Sequence, residues 1–366
     1  MIGKGRSASS PADGNLPANL AAGLAKSHLP SLDGLRAIAA LLVVFYHYGI
    51  ESCPGGLGVL AFFVLSGFLI TWLLLKEEER FGAISLRRFY MRRSLRIFPA
   101  FYTYWLLLSA ALLLFHKRYL VAQALASFFY VNNYYQAIQG DPNTGFSHTW
   151  SLGIEEQFYL LWPLAFLVLK RNHHRLRFLS AGILAVMLYR EALVFLVHRD
   201  QGYIYEAFDT RADQLLIGCL LAVALRQCAW SRFWRWLCST AVLVWATIAL
   251  LAASSALAVQ FGTAYRDAIG FVVDPILVAA LIAQTIAWPA AGLGAVLNWS
   301  WMRYLGKISY SIYLYQQVTV GPVAKLLGHW PGVALPATLL AVIAVASASY
   351  WIVERPFLRW KDRFEH

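Results

Sequence analysis

The chain has 366 residues, 59% of them apolar and only 14% charged, with a mean hydropathy of +0.55. A soluble domain carries roughly 25% charged residues, so the missing charge excludes an ordinary soluble protein and makes lipid the expected solvent. The net charge of +12 gathers in short loops between apolar runs, which reads as a topology signal rather than a nucleic-acid surface.

Residues 1–30, rich in Ala, Ser, Gly, Pro and Asn, are expected to be a disordered cytoplasmic tail. No long apolar stretch follows a basic start, so they do not form a conventional signal peptide. Apolar runs of about 20 residues suit a hydrocarbon core ~30 Å thick. An all-α polytopic membrane protein of about ten transmembrane helices is predicted, as one domain over residues 31–357. The first helix opens at Ser31-Leu32-Asp33-Gly34-Leu35-Arg36, with Asp33 as N-cap, and ends near Ile50. The second covers about 58–75. The charged stretch Lys76 to Arg96, with Arg80, Arg87, Arg88, Arg92, Arg93 and Arg96, is then an inner loop.

The third helix is about 97–115. Residues 118–135 are apolar and aromatic, but a crossing there would invert every later loop. They are expected to be re-entrant or interfacial, buried in protein or lining a cavity. Helices four to ten follow at about 148–169, 178–197, 213–229, 237–259, 269–288, 308–327 and 334–353. Basic residues between them place both termini in the cytoplasm. Residues 358–366 form a short basic tail, with no further domain expected beyond it. The four cysteines, Cys53, Cys219, Cys228 and Cys238, have no metal or redox spacing and read as small hydrophobes. No metal and no bound cofactor are expected.

Several polar residues interrupt the spans. Arg36 and His47 are eleven positions apart, about three turns plus 20°, so they share a face ~16 Å apart along the axis. A histidine in a span is costly unless it faces a cavity or partner, and its ordinary pKa suits a general base. Otherwise it is an interhelical hydrogen bond. Ser66-Gly67 permits close helix approach, with Ser66 as a packing residue before a nucleophile. Arg92, Arg93 and Arg96 are i, i+3 and i, i+4 neighbours that can converge on a polyanion, or simply mark the inner side. His148-Thr149-Trp150-Ser151 opens the fourth helix, which continues through Glu155, Glu156 and Tyr159. One glutamate could pair with His47 and orient it, or both could only favour a helix N-terminus. Asp209-Thr210-Arg211-Ala212-Asp213 is either an ion-pair cap or part of an acceptor site. Arginines thus collect at the inner side, while His47, Glu155 and Asp209 collect in the outer half.

These motifs, taken in order, resemble the acyltransferase-3 family of membrane O-acyltransferases over about residues 31–357. The carriers are Leu32-Asp33-Gly34-Leu35-Arg36-Ala37 with His47, Phe62-Phe63-Val64-Leu65-Ser66-Gly67-Phe68, Arg93-x-x-Arg96-Ile97-Phe98-Pro99, Trp150-Ser151-Leu152 to Tyr159, and Glu354-Arg355-Pro356. The resemblance implies a ten-helix fold and transfer of an acyl group, commonly acetyl, from acyl-CoA as co-substrate to a hydroxyl of a carbohydrate or glycoconjugate. By that analogy His47 is general base, Arg36 supports it with Glu155, and Arg92, Arg93 and Arg96 meet coenzyme A phosphates. His148, Trp150, Ser151, Glu156, Tyr159, Asp209, Arg211 and Ser66 are then acceptor-site or supporting residues. Leu60-Ala61 stands where many members have an Asp, and Gln316 where many have a His. The rival reading is a transporter or flippase of an anionic or sugar-linked lipid, although the repeated halves common in transporters are missing. A non-catalytic scaffold would leave Arg36, His47 and Glu155 without a role.

Overall fold

Ten helices of 15 residues or more run through the computed structural model, which describes residues 16–26, 28–117, 120–169, 172–328 and 330–361. They are α1 (Pro30–Tyr48), α2 (Gly55–Phe81), α3 (Leu86–Leu114), α4 (Thr149–Val168), α5 (Asn172–Ala192), α6 (Ala212–Arg226), α7 (Leu243–Tyr265), α8 (Phe271–Ala287), α9 (Ser309–Leu327) and α10 (Pro331–Ser349). Shorter helices join them, and there is no strand among the described residues. Pro30 opens α1 because its missing N–H would have no partner there, and Gly49 ends it at φ 102°. Asp33 falls inside the first turn rather than at the cap, where it contacts His28 at 3.0 Å.

By length and composition, five stretches could cross a membrane: Gly55–Phe81, Leu86–Leu114, His174–Val197, Leu243–Ala287 and Gly332–Trp360. A sixth is added if α6 and the helix Ser231–Leu237, bent by 104°, count as one. That is fewer than the ten expected, and the polar residues explain the shortfall. Helices α1, α4 and α9 have 19, 20 and 19 residues, within the ~17–25 a span needs. Their apolarity is diluted by Asp33 and Arg36, by Glu155, Glu156 and Gln157, and by Gln316 and Gln317. The 45-residue stretch Leu243–Ala287 is itself a hairpin. Gly262 breaks it at φ 62°. Gln284 and Trp288, at the end of the stretch, donate to the carbonyls of Leu237 and Cys238 just before its start, at 3.4 and 3.1 Å.

The charged segment 76–96 is not a loop. Helices α2 and α3 run on into it and leave only the turn Gly82–Ser85, with Gly82 at φ 73°. Consecutive residues on a helix point ~100° apart, so Glu77, Glu78 and Glu79 reach three different neighbours. Glu77 pairs with Arg92 of α3 at 2.5 Å, Glu78 takes both Nη groups of Arg175 of α5 at 2.6 and 2.7 Å, and Glu79 pairs with Arg226 of α6. These contacts define one basic end of the bundle. The far end is joined by Tyr134 to Asp209 (2.9 Å), Gln201 to Thr263 (2.7 Å) and Gln317 to the Thr144 carbonyl (3.4 Å).

The expectations for the two tails also change. The supposed disordered tail contains a helix, Ala18–Leu24, with Leu20 and Leu24 buried and Asn19 donating to the Cys238 carbonyl at 3.2 Å. Residues 1–15 lie outside the described residues, as do 362–366 of the basic tail, whose earlier part belongs to the helix Arg355–Lys361. Residues 120–139 form two eight-residue helices, Val121–Phe128 and Asn132–Gln139, broken at Tyr130 with φ 56°. Each rises only ~12 Å, too short to span. Their buried amides bond to the start of α4, with Asn132 donating to Phe146 O (3.0 Å) and Thr149 Oγ1 (2.9 Å).

Helices α2 and α6 touch backbone to backbone. A Cβ on Gly67 would lie 2.0 Å from Leu215 O, and one on Gly218 would lie 2.1 Å from Val64 O. This is the close approach that Ser66-Gly67 predicted. Gly218→Leu cannot be absorbed by a side-chain shift, so its cost should reach or exceed the ~1–3 kcal/mol typical of overpacking. The expected outcome is a lower unfolding temperature in detergent. An unchanged melting curve would contradict the packing.

Candidate active site

Arg36 sits two turns into α1, where α2, α4 and α9 converge. Its Nε donates to Ser309 Oγ of α9 at 3.3 Å, and its guanidinium lies 5.9 Å from the Phe62 ring centre. Beside it is a cavity of about 30 Å³ lined by Arg36, Phe62, Ser151, Glu155, Tyr310 and Tyr313, among others. A water needs ~10–15 Å³ of such space, so about two or three would fill it.

Glu155 faces this cavity through a chain of hydroxyls. Ser66 Oγ donates to Glu155 Oε1 at 2.8 Å, and Tyr159 OH donates to Ser66 Oγ at 2.9 Å. The guanidinium of Arg93 lies 3.7 Å over the Tyr159 ring, a cation–π contact. Glu155 therefore joins Arg36, not His47, and the pairing with the histidine that the sequence allowed is not made. The seven residues from His148 to Glu155 carry the carboxylate ~10 Å down α4 toward the basic end. Glu156 is half-buried, within electrostatic reach of Arg93 and Glu155.

Above the cavity, Ser151 Oγ is hydrogen-bonded to Tyr313 OH, which also donates to the His148 carbonyl at 3.2 Å. The His148 ring is buried edge-on to Tyr104 and Tyr313, with centroids at 5.5 and 5.7 Å, and neither ring nitrogen has a hydrogen-bond partner. His47 is exposed near the last turn of α1. Its Nδ1 lies 2.9 Å from the Val43 carbonyl. A carbonyl only accepts, so Nδ1 carries the hydrogen and Nε2 keeps the lone pair. A polar column thus climbs from Arg36 through Glu155, Ser151, Tyr313 and His148 toward His47.

The three arginines of α3 do not converge. Glu77 captures Arg92, Arg93 covers Tyr159, and Arg96 alone lines a cleft of about 540 Å³ at the basic end. The expected ion-pair cap at 209–213 is also absent. Asp209 accepts from Tyr134 and Tyr203 at 2.9 and 3.0 Å, while Asp213 pairs with fully buried Arg190 at 2.8 Å. Arg211, 0% exposed, lies amid Phe63, Trp150, Tyr205 and Phe271, 4.1–5.9 Å from their ring centres. Sequence reasoning missed Ser309, Tyr310 and Tyr313, although polar groups at i, i+1 and i+4 of a span were a signal. It also missed Arg190, although an Arg190-Glu191 pair inside the expected fifth helix was a signal. Gln316, at the position where many family members have His, is fully buried with both amide atoms unpartnered.

Glu206 closes the short far-end helix Gln201–Glu206. Burial first, then the Asp141 and Asp200 carboxylates, push its carboxyl up to about 8, against the pull of Arg211. The folded loop therefore favours the neutral acid. An unfolded carboxyl titrates near ~4.3, so the penalty is absent below about pH 4, grows up to about pH 8 and is constant above. Proteolytic nicking of the loop is expected to rise over that window in the native protein and less in Glu206→Gln. Identical pH profiles would contradict this.

A family model described as an acyltransferase domain matches residues 29–353. Among similar proteins, the peptidoglycan O-acetyltransferase OatA of Listeria monocytogenes is 32% identical over 349 residues, covering 91% of this chain and 55% of the relative. A putative peptidoglycan O-acetyltransferase of Bacillus subtilis is 31% identical over 90% of this chain and 55% of its own length. A putative O-acetyltransferase of Staphylococcus aureus is 29% identical, covering 92% and 59%. The chain spans little more than half the length of these curated relatives. No solved structure matches it. The match over most of its length makes this chain a member of the acyltransferase-3 family.

Proposed function

We propose that the protein transfers an acetyl group from acetyl-CoA to a hydroxyl of an envelope glycan, with His47 as general base. The names of its relatives support O-acetylation and a peptidoglycan-like acceptor. The observation that carries the base is the Nδ1 contact to Val43, which leaves Nε2 free to take a proton at the mouth of the polar column. The acceptor oxygen attacks the thioester carbonyl as His47 removes its proton. The C–S bond then breaks, and the thiolate takes up a proton to leave as free thiol. Arg36 lies ~16 Å below His47 along α1, so one carbonyl cannot touch both. Arg36 instead holds the donor arm as it threads the column, with Glu155 fixing the local charge. The small cavity has to widen to admit that arm.

On this reading the ten long helices are ten membrane passages. Their basic end is cytoplasmic, with both termini there, and their far end opens outside the inner membrane. The direction of each helix and the basic loops support the assignment. The donor then binds inside and the acceptor outside.

His47→Ala is expected to lower transfer by ~10²–10⁴-fold, the usual worth of general-base catalysis, while the protein stays folded and inserted. Near-native product from that variant would remove His47 from the mechanism. Membranes given acetyl-CoA and glycan should release free thiol. Movement of substrate across the membrane without thiol release would favour transport instead.

A further inference from the structure

Two sets of cations stand out at the basic end. Arg92, Arg175 and Arg226 are each held by one of the glutamates at 77–79. Arg96, Arg303, Lys307, Arg355 and Arg359 make no ion pair within 4.0 Å among the described residues, and all five line the same cleft of about 540 Å³. The size is that of a small-molecule site. Its two carboxylates have partners of their own: Asp33 contacts His28, also in the lining, at 3.0 Å, and Glu354 accepts from Ser311 at 2.5 Å, so two carboxylates stand against five cations.

Two short helices supply four of the five cations. Arg303 and Lys307 are i, i+4 on Ser300–Lys307, and Arg355 and Arg359 are i, i+4 on Arg355–Lys361. Like charges at that spacing repel, and here two such pairs line one cleft. A multiply charged anion relieves that repulsion, and clustered guanidinium groups suit phosphate oxygens. The cleft also leads inward. Arg96 is within electrostatic reach of Arg36 and Glu354, and Asp33 lies one turn before Arg36 on α1. An anion seated here directs whatever it carries toward the Arg36 cavity.

We infer that this cleft anchors the nucleotide phosphates of the acyl donor, with Arg303, Lys307, Arg355 and Arg359 as the main phosphate ligands and Arg96 at its inner end. The inference rests on the donor-side reading above but assigns residues which that reading does not contain. An anionic lipid headgroup shares the same chemistry, and the test separates the two.

Full-length protein in nanodiscs of phosphatidylcholine would be tested native, as Arg355→Gln/Arg359→Gln, as Arg303→Gln/Lys307→Gln, and as Arg87→Gln, a basic-end residue outside the cleft. Adenosine 3′,5′-bisphosphate is the binding probe. The native protein should bind it, and each double variant about tenfold or more weakly, with Arg87→Gln unchanged. For acetyl-CoA the KM should rise similarly with kcat nearly kept, while acetyl-pantetheine, which lacks those phosphates, should be used equally by all. No binding by the native protein, or equal binding by the double variants, overturns the inference whatever the enzyme's donor. If the double variants lose retained phosphatidylglycerol in mixed nanodiscs but keep bisphosphate affinity, the cleft is a headgroup site and the inference also fails. If the native protein binds the bisphosphate but releases no thiol from acetyl-CoA, the phosphate site stands and the donor reading fails.

Discussion

A charge inside an apolar bundle persists only where another group answers it, and the architecture follows from how each one is answered. Arg190 and Asp213, both fully buried, answer each other across α5 and α6. Arg175 is held by Glu78 and lies 3.8 Å over the Phe166 ring. Arg211 is surrounded by four aromatic rings. Three consecutive glutamates on α2 fasten α3, α5 and α6 with one turn of helix. On α1 the charged and titratable residues fall at three levels: Asp33 at the cleft, Arg36 at the cavity and His47 at the far mouth.

That distribution separates structure from chemistry. The Arg92 pair and the Arg190–Asp213 pair belong to the frame, where removing one partner strands a buried or half-buried charge. Ser66 belongs to both. It lets α2 approach α6 through the neighbouring Gly67, and its hydroxyl links Tyr159 to Glu155. The sites with spare capacity are the cation-rich cleft at one end and the exposed imidazole at the other, joined by hydroxyls of α4 and α9. On the reading proposed above, a charged donor binds at the first and the acceptor at the second.

Much of this was legible in the sequence. The all-helical architecture, the approximate positions of most long helices and the short, non-spanning helices of 120–139 follow from hydropathy and helical periodicity. What was misread depends on distances between helices. The charged segment 76–96 was taken for a loop because charge outweighs helix propensity in a hydropathy profile, yet ion pairs to α5 and α6 keep it helical. A pairing of Glu155 or Glu156 with His47 stayed open because both glutamates open a helix on the outer side in sequence order, whereas the pitch of α4 lowers Glu155 to the Arg36 cavity. The helix at Ala18–Leu24 was missed because its short apolar face means nothing without the α8 surface that buries it. The basic cleft was invisible because its cations come from three separated segments.

The central claim is that α1 carries a polar seam with its ends open on opposite sides of the membrane. Single cysteines at positions 47 and 359, in a protein otherwise freed of Cys53, Cys219, Cys228 and Cys238, can be challenged with a membrane-impermeant thiol reagent. On intact cells with the envelope made permeable only to the inner membrane, position 47 should label and position 359 should not, and inverted vesicles should reverse the pattern. Labelling of both positions from the same side would contradict the account.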